Sequence, residues 1–233
     1  MRVRPSPNWD ERPVGAAVDM LVLHYTGMAT AEAALDRLCD PLAKVSAHYL
    51  IDEDGTIVAL VAEAARAWHA GLSWWQGRGG LNDVSLGIEL VNPGHEWGYR
   101  RFPERQMAAV VELGREMVDR WRIPAGRVVA HSDIAPARKK DPGELFEWPR
   151  LAAAGIGAWP RPSVPLPPDD TSATKELARI GYPGLAQGIP FEIALRAFQR
   201  HYRQTRCDGH LDAETMGLIV AVAGLCSPPE AAT

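Results

Sequence analysis

Cysteine is scarce in this chain. Its three copies, Cys39, Cys207 and Cys226, are widely spaced and form no C-x-x-C pair. They supply neither a disulfide framework nor a thiolate metal site and read as free thiols. No stretch approaches the ~20 consecutive apolar residues of a membrane-spanning helix. The start, Met-Arg-Val-Arg, is charged but is followed by no apolar signal run, and no lipoprotein-type cysteine stands near it. The expected location is therefore the cytoplasm, with a leaderless route to the periplasm or exterior as the alternative. Positive charge is not in excess. A formal net charge of -4 gives no electrostatic case for nucleic acid or an anionic membrane surface. Coiled-coil and edge-pairing signals are also missing, and a monomer is expected.

Tryptophan is plentiful, with eight copies, several in polar, Gly-rich contexts that suit flat contact surfaces for sugars or peptides. Proline is concentrated in Trp159–Asp170, which reads Trp-Pro-Arg-Pro-Ser-Val-Pro-Leu-Pro-Pro-Asp-Asp. Repeated proline fixes φ and removes donors, so this segment is an extended linker. It separates a first domain, residues 1–158, from a tail, residues 171–233. In the first domain Val18–Tyr25 is a continuous apolar run suited to a strand buried on both faces. Thr30–Cys39 has helical spacing. Ser46–Asp52 and Thr56–Val61 flank a hairpin turn. Val84–Val91 is a strand, Glu104–Trp121 a long helix bounded by prolines, and Arg127–Ala130 a short strand. The expected fold is α/β, a mixed twisted sheet flanked by helices. The tail adds three short helices, 171–180, 191–202 and 213–223.

Two histidines, His24 and His131, end predicted strands, where a rigid sheet presents side chains to a cleft. Asp141 follows in a loop. Two imidazoles and a carboxylate make three metal ligands with a fourth position open. The same residues also admit plainer roles: core histidines, and a helix N-cap at Asp141 ahead of Pro142. On Val84–Val91 the apolar residues Val84, Leu86, Ile88 and Leu90 share one face. Glu89 shares the other with Ser85 and Gly87. A carboxylate there suits a general base or a solvated strand face. Arg138, Lys139 and Lys140 are consecutive, so an oxyanion-stabilising ammonium and a solvated basic loop are both open.

Six motifs then occur in order: Leu23-His24-Tyr25-Thr26, Ser46-Ala47-His48-Tyr49, Trp68-His69-Ala70-Gly71, Gly87-Ile88-Glu89-Leu90-Val91-Asn92, His131-Ser132-Asp133 and Lys139-Lys140-Asp141-Pro142-Gly143. Over residues 5–158 this set resembles the type 2 class of zinc-dependent N-acetylmuramoyl-L-alanine amidases, which also includes peptidoglycan recognition proteins. The resemblance implies Zn2+ on His24, His131 and Asp141, a position where some members carry Cys. It implies Glu89 as catalytic base and Lys139 as its catalytic partner. Certain phage members use a Tyr directly before the position of His48; Ala47 stands there, which leaves Glu89. The family's Trp-His motif faces the active-site region, so Trp68 and His69 are implied substrate contacts, with a supporting or structural role for His69 equally open; Asn92, Trp74 and Trp75 are weaker candidates of the same kind. The tail residues Ala197-Phe198-Gln199-Arg200 and Asp208-Gly209-His210-Leu211-Asp212 resemble the helical peptidoglycan-binding module found beside cell-wall hydrolases.

The function so implied is hydrolysis of the amide between the muramoyl lactyl group and L-alanine. Its partners would be peptidoglycan or muropeptides, including 1,6-anhydro forms met in cell-wall recycling. A peptidoglycan-binding protein without catalysis and a zinc hydrolase of another amide are the alternatives.

Overall fold

The computed structural model describes residues 1–226. Six strands form the main sheet: β1 (Arg2–Val3), β2 (Met20–Tyr25), β3 (Tyr49–Ile51), β4 (Ile57–Ala59), β5 (Ser85–Leu90) and β6 (Val128–Ala130), in the order β1-β4-β3-β5-β2-β6. The β3–β4 hairpin is antiparallel and every other neighbour pair is parallel. The expected strands are present, trimmed by a few residues at their ends.

Strand alternation decides where the chemistry sits. Leu21 and Leu23 of β2, Leu86, Ile88 and Leu90 of β5, and Val128 and Ala130 of β6 point to one face. There they pack on Met107, Val110, Leu113 and Met117 of the long helix α2 (Glu104–Trp121), which follows α1 (Ala31–Cys39). The intervening residues Met20, Val22 and Val129 point to the opposite face. Continuing the same period, His24 and Glu89 belong to that opposite face. They are register partners, His24 beside Glu89. Ala130 pairs with Leu23, so the next residue on each strand, His131 and His24, leaves the sheet at the same level.

His131 opens a one-turn helix, α3 (His131–Ile134), and α4 (Trp148–Ala153) follows. Residues 159–169 form no helix or strand. Three helices then close the described chain: α5 (Asp170–Ile180), α6 (Phe191–Tyr202) and α7 (Ala213–Cys226). They do not stand apart on their linker. Leu177, Ile180, Tyr182, Leu195, Phe198, Tyr202 and Ile219 join Met20, Val22, Val129 and Ile134 in one apolar cluster. The tail therefore roofs the lower part of the sheet face whose upper part carries His24. A buried polar lock adds to it. Asp133, fully buried, accepts from Tyr182 Oη at 2.7 Å, pairs with His201 Nδ1 at 2.7 Å and accepts from Ala130 N at 2.8 Å. A buried carboxylate needs such partners, and these tie α3, which carries His131, to the tail.

Candidate metal centre and active site

His131 and Asp141 line a cleft of about 370 Å³, and His24 meets them from the buried side. His24 Nδ1 lies 2.8 Å from His131 Nδ1 and 3.1 Å from Asp141 Oδ2, and His131 Nδ1 lies 2.9 Å from the same oxygen. Metal–ligand bonds of about 2.0–2.2 Å place tetrahedral ligands roughly 3.3 Å apart, close to this spacing. No helix begins at Asp141, so the N-cap alternative is not realised; its carbonyl accepts from Ser132 N at 2.9 Å instead. Burial alone would raise the Asp141 carboxyl, but the adjacent His131 and His24 outweigh it and hold it well below the ordinary carboxylate range.

The hydrogen bonds behind the histidines fix their tautomers. His131 Nε2 lies 3.2 Å from Ala70 O, and a carbonyl only accepts, so Nε2 carries the proton and Nδ1 a lone pair. His24 Nε2 lies 3.0 Å from His69 Nδ1, His69 Nε2 lies 3.1 Å from Ser85 Oγ, and Ser85 Oγ donates to Leu81 O at 2.7 Å. The hydroxyl proton is committed to the carbonyl, so Ser85 accepts from His69 Nε2–H. His69 Nδ1 then accepts from His24 Nε2–H. His24 Nδ1 is left with a lone pair aimed at His131 and Asp141. Two converging lone pairs and a carboxylate oxygen could hold a cation. Burial, then the neighbouring His131, lowers the His24 pKa to about 4, so a proton serves poorly there at neutral pH. The donor set fits a divalent metal. Gly87 makes room for the relay: a Cβ on it would come within 2.6 Å of His69 Cγ.

Glu89 lines the same cleft, and its Oε2 is buried without a hydrogen-bond partner. Burial, then the charge of Asp141, pushes its pKa well above the ordinary value, against the pull of Lys139. That is not the environment of a solvated strand face, and it is one in which a carboxyl can hold a proton near neutral pH. All three consecutive cations line the cleft, and Arg138 is engaged by Leu72 O at 2.5 Å. Lys139 is the one whose charge is felt at both Glu89 and His24.

The remaining expected contacts divide. Trp68 lines the cleft and donates from Nε1 to Asp10 Oδ2 at 2.8 Å. His69 lines the cleft as well, and both its ring nitrogens are engaged, by His24 and Ser85. Asn92 does not reach the cleft. It is fully buried, donates to Arg100 O at 2.8 Å and accepts from Gly94 N at 3.0 Å, which shapes the loop after β5. Trp75 is core, its Nε1 donating to Gly126 O at 3.1 Å. One group was not foreseen. Tyr25 Oη donates to His95 Nδ1 at 2.9 Å, and His95 Nε2 donates to Glu144 at 3.1 Å, along the rim beside the ligands. The signal for His95 was its place in the loop directly after the strand that carries Glu89.

Known proteins resemble this chain in sequence and fold. The family model described as N-acetylmuramoyl-L-alanine amidase matches residues 14–144. The N-acetylmuramoyl-L-alanine amidase AmiD of Escherichia coli is 39% identical, covering 88% of this chain and 82% of its own. The 1,6-anhydro-N-acetylmuramyl-L-alanine amidase AmpD of the same organism is 39% identical over 63% of this chain and 87% of its own. The structure of AmiD in complex with anhydro-N-acetylmuramic acid-L-Ala-D-γ-Glu-L-Lys superposes with a TM-score of 0.81 at 36% identity, covering 93% of this chain and 97% of that one. AmpDh3 of Pseudomonas aeruginosa with an anhydromuramic pentapeptide gives 0.80 at 34% identity, covering 94% of each chain. A two-histidine, one-aspartate cluster at the end of the sheet, a partly buried glutamate beside it and these matches lead to one conclusion: the chain belongs to the N-acetylmuramoyl-L-alanine amidase family.

Proposed function

We propose that the protein uses a zinc ion held by His24, His131 and Asp141 to hydrolyse the amide between the lactyl group of N-acetylmuramic acid and L-alanine. The preferred substrates are soluble muropeptides, 1,6-anhydro forms included. The observation that carries this reading is the convergence of two imidazole lone pairs and a carboxylate next to a glutamate oxygen that has no partner. A zinc ion bound there supplies Lewis-acid chemistry, acidifying water and polarising a carbonyl. Glu89 takes the proton of the attacking water as it adds to the amide carbon. Lys139 stabilises the negative charge that develops on the carbonyl oxygen. Glu89 then returns the proton to the departing nitrogen of L-alanine, which leaves as a neutral amine on the stem peptide. His69 and the Ala70 carbonyl hold the two imidazoles in the tautomer this requires. The C-terminal helices act as part of the catalytic body, through Asp133.

The stem peptide is of the L-Ala-D-γ-Glu type carried by the ligand of the AmiD complex. The test is digestion of soluble anhydro-muropeptides beside intact sacculi, read by mass spectrometry. Faster release of stem peptide from the soluble fragments supports the reading and goes with the expected cytoplasmic location. Preference for sacculi would instead favour a wall hydrolase outside the cytoplasm. Binding of muropeptides without release would favour a recognition protein, and cleavage of unrelated amides a different zinc hydrolase.

A further inference from the structure

A second groove adjoins the metal cleft; its walls carry His95, Lys140, Arg196 and Arg200 together with the carboxylates Glu144 and Asp208. His95 and Lys140 line both spaces. One wall thus belongs to residues attached to the metal site: Lys140 precedes Asp141, and His95 is bonded to Tyr25, the neighbour of His24. The other wall is α6 of the tail.

The charges in this groove are unevenly matched. Asp208 is already satisfied by Arg206 Nε at 2.6 Å and His210 N at 2.9 Å. Glu144 is held by His95 at 3.1 Å. Among the described residues Lys140 and Arg196 have no ion pair; Arg196 Nη2 donates only to the backbone oxygen of Asp208, at 3.0 Å. Arg200 is the telling residue. It is only 8% exposed and its guanidinium makes no hydrogen bond among the described residues. Its Nε is buried without a hydrogen-bond partner, 3.6 Å from the already engaged Glu144. Burying an arginine this far without bidentate partners is costly, and a planar anion in the groove would supply them.

We propose that this groove is a carboxylate subsite, in which Arg200, with Arg196 and Lys140, holds a free carboxylate of the stem peptide. This rests on the muropeptide reading above. The chemistry of the stem supplies the anion: a γ-linked D-glutamate keeps its α-carboxylate free, and the last residue adds a terminal one. A stem of three residues reaches about 10 Å, and the two clefts share a wall. The tail then contributes directly to substrate selection.

The test compares the zinc-loaded protein with Arg200→Gln and Arg196→Gln on an anhydro-muropeptide tripeptide and on its carboxamide forms. A charge-assisted contact made equally in ground and transition states predicts a KM raised about tenfold in Arg200→Gln with kcat little changed. Discrimination between acid and carboxamide substrates should shrink in both variants. Melting temperature and zinc content verify each fold, and Arg196→Gln, at an exposed position, carries the test alone if Arg200→Gln does not fold. Unchanged KM and unchanged discrimination would overturn the subsite. If the wild-type protein hydrolyses no muropeptide, the amidase reading fails, and calorimetric binding of free L-Ala-D-γ-Glu-L-Lys then decides the groove. Weaker binding in the variants supports the subsite, and equal binding refutes it.

Discussion

Replacing His69 with Phe removes both ring nitrogens and keeps a ring of similar size. His24, only 1% exposed, then loses the acceptor that sat 3.0 Å from its Nε2. A buried donor without a partner costs about 1–3 kcal/mol. The imidazole can avoid that cost only by moving its proton to Nδ1, the atom that faces His131 and Asp141. Either outcome weakens the metal site. Loss of such a supporting partner lowers metal affinity about 10–100-fold, or roughly 1.4–2.7 kcal/mol. Ser85→Ala removes the next link, one bond further from the ligand, and should cost less than about tenfold. Zinc affinity is measured by competition with a chromophoric chelator, alongside a thermal melt to verify folding. A folded His69→Phe protein with wild-type zinc affinity would refute the relay.

Glu89→Gln should retain zinc and lose about 10²–10⁴-fold in kcat; elemental analysis with steady-state kinetics checks both, and an unchanged rate removes Glu89 from proton transfer. Gly87→Ala drives a methyl group into the His69 ring, at 2.6 Å from Cγ. It should lower zinc affinity and melting temperature together, whereas a wild-type melting curve would contradict the packing. The metal-free protein should lose stability in acid. Burial lowers His24 to about 4 and His48 to about 3 from the ordinary 6.5, so between these values the unfolded chain binds protons that the folded one refuses. His69 is lowered in the same sense, and the three histidines outnumber Glu89, whose raised pKa works the other way, so stability falls as pH drops from 6.5 towards 4, by up to about 1.4 kcal/mol per pH unit for each histidine not offset. Thermal melts of chelator-treated protein at pH 7, 5.5 and 4.5 test this, and a flat profile would contradict it.

Much of the site was legible because strand alternation is local. The split of Val84–Val91 into an apolar face and a Ser85–Gly87–Glu89 face needs only the period of 2, and Glu104–Trp121 is delimited by its flanking prolines. What escaped depends on contacts distant in the chain. Asn92 looked like a polar residue beside the cleft, yet its amide is consumed by Arg100 and Gly94. His69 stood in a motif beside Trp68, but only the fold shows that its ring reaches His24 and Ser85. The proline-rich segment suggested a separate tail. The apolar faces of α5, α6 and α7 find their partner in the sheet itself, and the Asp133–His201 pair that secures them spans 68 residues. Local sequence also favoured an N-cap at Asp141 as readily as a ligand; no helix begins there, and its carboxylate faces two histidines.

The central claim is that a metal on His24, His131 and Asp141 drives amide hydrolysis. The most direct test is to strip the protein with a chelator, titrate zinc back and follow stem-peptide release from an anhydro-muropeptide at each addition. The account predicts no release without metal, a rise that saturates at one zinc per chain, and neither zinc uptake nor activity in His24→Ala. Full activity in the stripped protein, or zinc uptake by His24→Ala equal to wild type, would contradict it.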